Sequence, residues 1–131
     1  MIVTVGDFYA AARERLSLVI ESGEEYLSRV IHERAIHRPG LALAGFLPYF
    51  ANRRIQVMGL AEFAHLKSLA VPLQRERLAG VFSKSIPCLV LSRNRHPLSS
   101  ILEAAEVSQT PIFRTPMITS IMLWNEPNNL S

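Results

Sequence analysis

Cys88-Leu89-Val90-Leu91 is apolar at every position rather than at alternate ones. A strand with one wet face alternates, so a continuous apolar strand needs cover on both faces. Helical patterns flank it on both sides. Pro72 opens a helix to about Ser83, and Pro97 opens another to about Ser108; proline suits the first turn of a helix. Upstream, Arg54-Ile55-Gln56-Val57-Met58-Gly59 reads as a strand and turn. A helix over Ala61–Leu69 follows, with Leu60, Phe63, Leu66 and Leu69 at helical spacing. Pro111-Ile112-Phe113 supplies a last short strand. Strands and helices alternating at this spacing imply βαβ units. The expected fold is therefore α/β: three layers, a mostly parallel sheet flanked by helices, Rossmann-like in layout.

The first third of the chain is less regular. A helix is expected from Val5 to Arg15, then a strand over Leu16–Ile20 and a turn at Ser22-Gly23. Glu24–Leu27 suits one helical turn, and Val30–Glu33 a short strand. Leu41–Phe46 reads as a short buried helix ending at Pro48. At the other end, Thr115-Pro116 leads into an expected helix through Trp124, and the polar residues 125–131 read as a frayed tail. The organisation is one α/β domain over 1–120 with a divergent tail over 121–131.

Composition excludes several classes. The 131 residues are 49% hydrophobic and 19% charged, enough apolar material for one core. No apolar run approaches the roughly 18 residues that span a bilayer. The start lacks the basic and apolar regions of a secretory signal. The lone Cys88 has no internal disulfide partner. It reads as a buried strand thiol in a reducing, cytoplasmic setting. The net charge is +3, carried by arginine far more than lysine. Guanidinium forks suit carboxylates and phosphates. The basic residues are dispersed, with Arg53-Arg54 their only adjacent pair, so no nucleic-acid stripe is expected.

Catalytic motifs are missing. Gly40-Leu41-Ala42-Leu43-Ala44-Gly45 has the glycine spacing of a phosphate loop, but Phe46-Leu47 follows where a lysine and a hydroxyl are needed. No G-x-G-x-x-G or G-x-S-x-G occurs, and the four histidines lack zinc-ligand spacing. No catalytic residue, metal ligand or cofactor of this chain is expected. The single Asp7 sits where a helix opens. One constellation does point to binding. Arg38 and Gly40, Arg93 and Arg95, and Arg114 and Thr115 fall where strands end and helices begin. Ligands of open α/β sheets bind outside those strand ends, and helix N-termini there present free N–H groups to anions. A phosphate or carboxylate site over Arg38, Gly40, Arg93, Arg95, Arg114 and Thr115 is the expectation.

Several stretches resemble one family. They are Val3-Thr4-Val5-Gly6-Asp7, Ser22-Gly23-Glu24-Glu25, Arg38 through Phe46 with Tyr49-Phe50, and Arg54 through Glu62. Pro87 through Arg93 and Pro111 through Thr115 continue the series. Together, over residues 3–120, they resemble the N-terminal domain of bacterial HPr kinase/phosphorylase. After about Thr119 the sequence departs from the family pattern. The resemblance implies a parent enzyme that phosphorylates and dephosphorylates a serine of HPr, the phosphocarrier of the sugar phosphotransferase system, in carbon catabolite control. It implies a hexamer, hence self-association, and a fold like the substrate-binding domain of the Mur ligases. It places the P-loop, ATP and Mg²⁺ in a C-terminal domain absent here. The chain then reads as a non-catalytic regulatory or scaffolding domain, meeting HPr only through its parent. The alternative is a sensor for an anionic metabolite such as a sugar phosphate, nucleotide or UDP-sugar. Neither membrane nor nucleic acid is an expected partner.

Overall fold

Thr4 ends a two-residue strand and starts the first helix at once. Its hydroxyl accepts from the Asp7 N–H, and the Asp7 carboxylate accepts from the Thr4 N–H. This reciprocal cap satisfies two otherwise orphaned donors. The computed structural model describes residues 2–118. Strands are β1 (Val3–Thr4), β2 (Val19–Ser22), β3 (Val30–Ile31), β4 (Ile36–His37), β5 (Ile55–Met58), β6 (Leu89–Leu91) and β7 (Ile112–Arg114). Helices are α1 (Val5–Ala12), α2 (Gly40–Leu43), α3 (Leu60–Ser68), α4 (Val71–Phe82) and α5 (Ser99–Ser108).

Five strands form the main sheet in the order β2-β7-β6-β5-β4. β4, β5, β6 and β7 run parallel, and β2 closes one edge antiparallel to β7. The parallel strands step across the sheet in one direction. A right-handed crossover repeated in one direction lays every connecting helix on the same face. Accordingly α2, α3, α4 and α5 share one core with Met58, Leu89, Leu91 and Ile112. The opposite face needs separate cover. It receives α1 through Val5, Phe8 and Ala12, which pack with Ile55, Val57, Cys88, Val90 and Phe113. The antiparallel ribbon of β1 and β3 joins this layer. Both faces are thus buried, as the continuous apolar run of β6 demands, and the fold is three-layered α/β.

Some local expectations shift. α1 ends at Ala12, not Arg15, and the chain turns through Ser17 with a left-handed φ of 50°. β2 therefore begins at Val19, while Leu16 and Leu18 anchor the turn in the core. β1 and β4 are two-residue strands that no periodicity announces. α2 is shorter than expected and not wholly buried, since Leu41 and Phe46 are 71% and 51% exposed. Leu60 is exposed too, because the core-facing stripe of α3 is Glu62, Phe63 and Leu66. Residues 116–117 form a bend rather than a helix start, and the expected helix beyond 118 lies outside the described residues.

Candidate functional site

The carboxyl ends of the parallel strands gather the arginines that the sequence singled out. Arg38 follows β4, Arg93 and Arg95 lie in the turn after β6, and Arg114 and Thr115 close β7. They fall into two groups joined by that turn.

The first group centres on Glu62 in the opening turn of α3. Its carboxylate accepts from the Gly59 N–H at 2.6 Å, so it caps its own helix. It also takes the Arg38 guanidinium on both oxygens, at 2.9 Å each from Nη2. Glu62 is buried while Arg38 is 44% exposed at its side chain. The paired geometry is charge-assisted and directional. Arg95 reaches the next residue, with its guanidinium 5.8 Å from the centre of the Phe63 ring. Gly40 leaves room here: the nearest side-chain atom to a built Cβ is Glu62 Oε2 at 4.0 Å.

The second group centres on Glu21 of β2. Arg114 Nε donates to it at 2.5 Å, and the His96 ring stands 3.8 Å away. Arg114 also donates to Asn94 Oδ1. Thr115 is buried, and its hydroxyl donates to the Leu16 carbonyl. The linking turn is tight. Arg93 and Asn94 both hold left-handed φ values, 55° and 56°. The segment after β7 clamps them: the Arg93 N–H donates to Met117 and the Asn94 N–H to Thr115.

The expected residues therefore share one edge, but their charges are not equivalent. Arg38 and Arg114 are held by carboxylates. Arg93 and Arg95 are exposed, and no carboxylate among the described residues pairs with either. The uncommitted positive charge of this edge is thus two side chains on one turn. The strand order also moves in a single direction from β4 to β7, so the parallel part lacks the reversal at which doubly wound sheets open a crevice. Sequence reasoning missed Glu62, Glu21 and Asn94. Glu62 had a readable signal, the third position after a helix-opening Gly59. Glu21 had none, because its partner Arg114 is remote in sequence.

The phosphate-loop spacing has a different explanation. The Phe46 N–H donates to the Leu41 carbonyl and the Gly45 N–H to the Ala42 carbonyl. These are the two bonds of a Schellman helix end, with the glycine in the left-handed position. Gly45 has φ 101°, and a Cβ there would stand 3.0 Å from the Arg77 guanidinium carbon. Asp7 is committed to the α1 cap. Cys88 is buried, and burial pushes its thiol up against a weaker downward pull from Arg29. It is a packed residue immediately before β6, closed off from solvent.

Fold and edge define a class first: a three-layer α/β domain whose single-direction sheet carries arginines at its carboxyl edge and a helix end where a phosphate loop was spaced. The chain belongs to the family described as HPr Serine kinase N terminus, whose profile matches residues 3–128. The match runs past Thr119, beyond the point at which the sequence reading placed a departure from the family. Similar curated proteins are HPr kinase/phosphorylases. That of Clostridium perfringens is 40% identical over 102 residues, covering 78% of this chain and 33% of the relative. That of Chloroherpeton thalassium is 33% identical over 126 residues, covering 93% of this chain and 36% of the relative. The chain spans about a third of the length of these relatives. Among solved structures, the CBS and DRTGG domains of the regulatory region of Clostridium perfringens pyrophosphatase, complexed with the activator diadenosine tetraphosphate, share the fold. The TM-score is 0.60 at 15% identity, with 93% of this chain and 48% of that chain covered.

Proposed function

We propose that this chain is a non-catalytic regulatory or scaffolding domain of an HPr kinase/phosphorylase, acting in carbon catabolite control through the remainder of that enzyme. The observation that carries the reading is the end of α2. The glycine pair that would cradle a phosphate brackets a short helix instead, Gly40 opening it and Gly45 closing it, and exposed Phe46 follows where a phosphate-binding lysine is needed. In this reading ATP and Mg²⁺ belong to the remainder of the enzyme, HPr is met there, and the assembly is cytoplasmic and self-associating. No described helix is long and apolar enough to cross a membrane. Phe63 and Leu66 are buried in the chain's own core, so α3 does not offer them to a second copy.

The test is direct. Purified chain mixed with HPr, ATP and Mg²⁺ is expected to yield no phosphoserine. ATP-dependent phosphorylation of HPr by this chain alone would overturn the reading.

A second reading is a sensor of an anionic metabolite at Arg38, Gly40, Arg93, Arg95, Arg114 and Thr115. The exposed, carboxylate-free Arg93 and Arg95 favour it. Thermal-shift titration with nucleotides, sugar phosphates and UDP-sugars separates the two, since only the sensor is stabilised by one of them.

A further inference from the structure

A concavity runs along the paired helices on one face of the sheet, from Ser100 near the start of α5 to Ser108 at its end. It is a groove of about 580 Å³ between α4 and α5. Ala79 of α4, Ser83 just past its end, and Ala104 and Ser108 of α5 line it. These four small side chains keep two adjacent helices from closing over the space between them. Phe82 and Val107 give the groove an apolar body, and Val107 is 88% exposed. The volume lies within the ordinary range for small-molecule sites, about 300–1,000 Å³.

Arg29 also lines the groove, reaching in from the loop before β3. Its Nη2 donates to the Ile86 carbonyl at 2.5 Å. Its Nη1 makes only long contacts, 3.4 Å each, with the Ser108 and Gln109 carbonyls. Its Nε is buried and has no partner among the described residues. No carboxylate among the described residues pairs with this guanidinium, whereas Arg75 at the rim is paired with Glu103 at 3.1 Å. The lining therefore carries one surplus positive charge, in a site where burial disfavours the cation. The negative end of α5 offsets only about half a unit of it. Arg29 is half-buried and its acceptors are neutral carbonyls, so a bound anion would supply the charged partner it lacks among the described residues.

We infer that the α4–α5 groove is a binding site for a small apolar molecule bearing one anionic group, the apolar part lying over Phe82 and Ala104 and the anion meeting Arg29. The site is independent of the carboxyl-edge arginines and of the parent enzyme's chemistry.

The probe is 1-anilinonaphthalene-8-sulfonate, with the uncharged N-phenyl-1-naphthylamine as its matched control, titrated into the folded 131-residue chain. One saturable site is expected, with amide shifts confined to α4, α5 and the Arg29 loop. Arg29→Gln is expected to weaken the sulfonate by about tenfold, the loss of one charge-assisted contact. It should leave the neutral control unchanged. Ala79→Phe places a ring in the groove from an exposed helix position, and is expected to abolish both while the chain stays folded. That variant keeps the test decisive if Arg29→Gln fails to fold. Competition by 4-phenylbutyrate against phenyl phosphate assigns the head group. Any one of three results would overturn the site: no saturable binding, unchanged binding in Ala79→Phe, or equal affinity for the charged and neutral probes.

Discussion

At the scale of single residues, Gly23 shows how a local signal acquires a distant cause. It takes φ 79°, and a Cβ built on it would lie 2.7 Å from Pro111 Cα and 3.0 Å from the Thr110 carbonyl oxygen. Both contacts are backbone, so no side chain can move aside. Gly23→Ala is expected to cost about 2–4 kcal/mol, from left-handed strain together with the clash. Urea denaturation measures this, and a change below about 0.5 kcal/mol, the usual size of a neutral surface substitution, would contradict it. The turn at Ser22-Gly23 was legible in the sequence because glycine is the common residue at such turns. That residues 110–111 crowd it was not, because only the folded chain brings the entry of β7 against this turn. The same division holds for Cys88. Its burial followed from its apolar neighbours, but the proximity of Arg29 did not.

Among elements, the long helices and the short β3 were legible, and the two-residue strands β1 and β4 were not. α4 holds Pro72 in its first turn, α5 begins at Ser99 rather than at Pro97, and both have enough turns for periodicity to register, whereas β1 and β4 are defined by what they pair with. α3 was legible as a helix, but its inward face was misjudged at Leu60. The reason is Glu62, whose cap on Gly59 and bond to Arg38 hold a carboxylate in the buried position of the first turn. Glu62→Ala leaves the buried Gly59 N–H without its acceptor and Arg38 without its partner. The expected loss is about 2–3 kcal/mol, combining a lost cap with a lost charge-assisted bond. Glu62→Gln can still accept from Gly59 and is expected to lose less. Chemical denaturation of the two variants compares them, and equal losses would show that the cap plays no part.

For the whole molecule, Phe113 joins the layers. It is fully buried in β7, meets the Phe8 ring edge-on at 6.1 Å and stacks with the Tyr9 ring at 5.6 Å. Phe113→Ala is expected to remove about 3–5 kcal/mol through the cavity left between α1 and the sheet. Denaturation followed by circular dichroism checks it, and a loss under about 1 kcal/mol would mean that α1 is not held by this contact. The layered plan itself needed both sources of information. By itself the sequence determined the alternation of strands and helices, the two-sided burial of β6, the family, and the lack of a lysine after the Gly40–Gly45 pair. These are short-range properties: periodicity, propensity and motif chemistry act over a few residues. Only the tertiary structure decided that every crossover helix shares one face, that Glu62 and Glu21 hold Arg38 and Arg114 while Arg93 and Arg95 stay uncommitted, and that small residues on α4 and α5 leave a groove beside an unpaired Arg29. Those outcomes depend on which distant segments meet once both faces of the sheet are covered, and partner choice across such separations leaves no local trace in the chain.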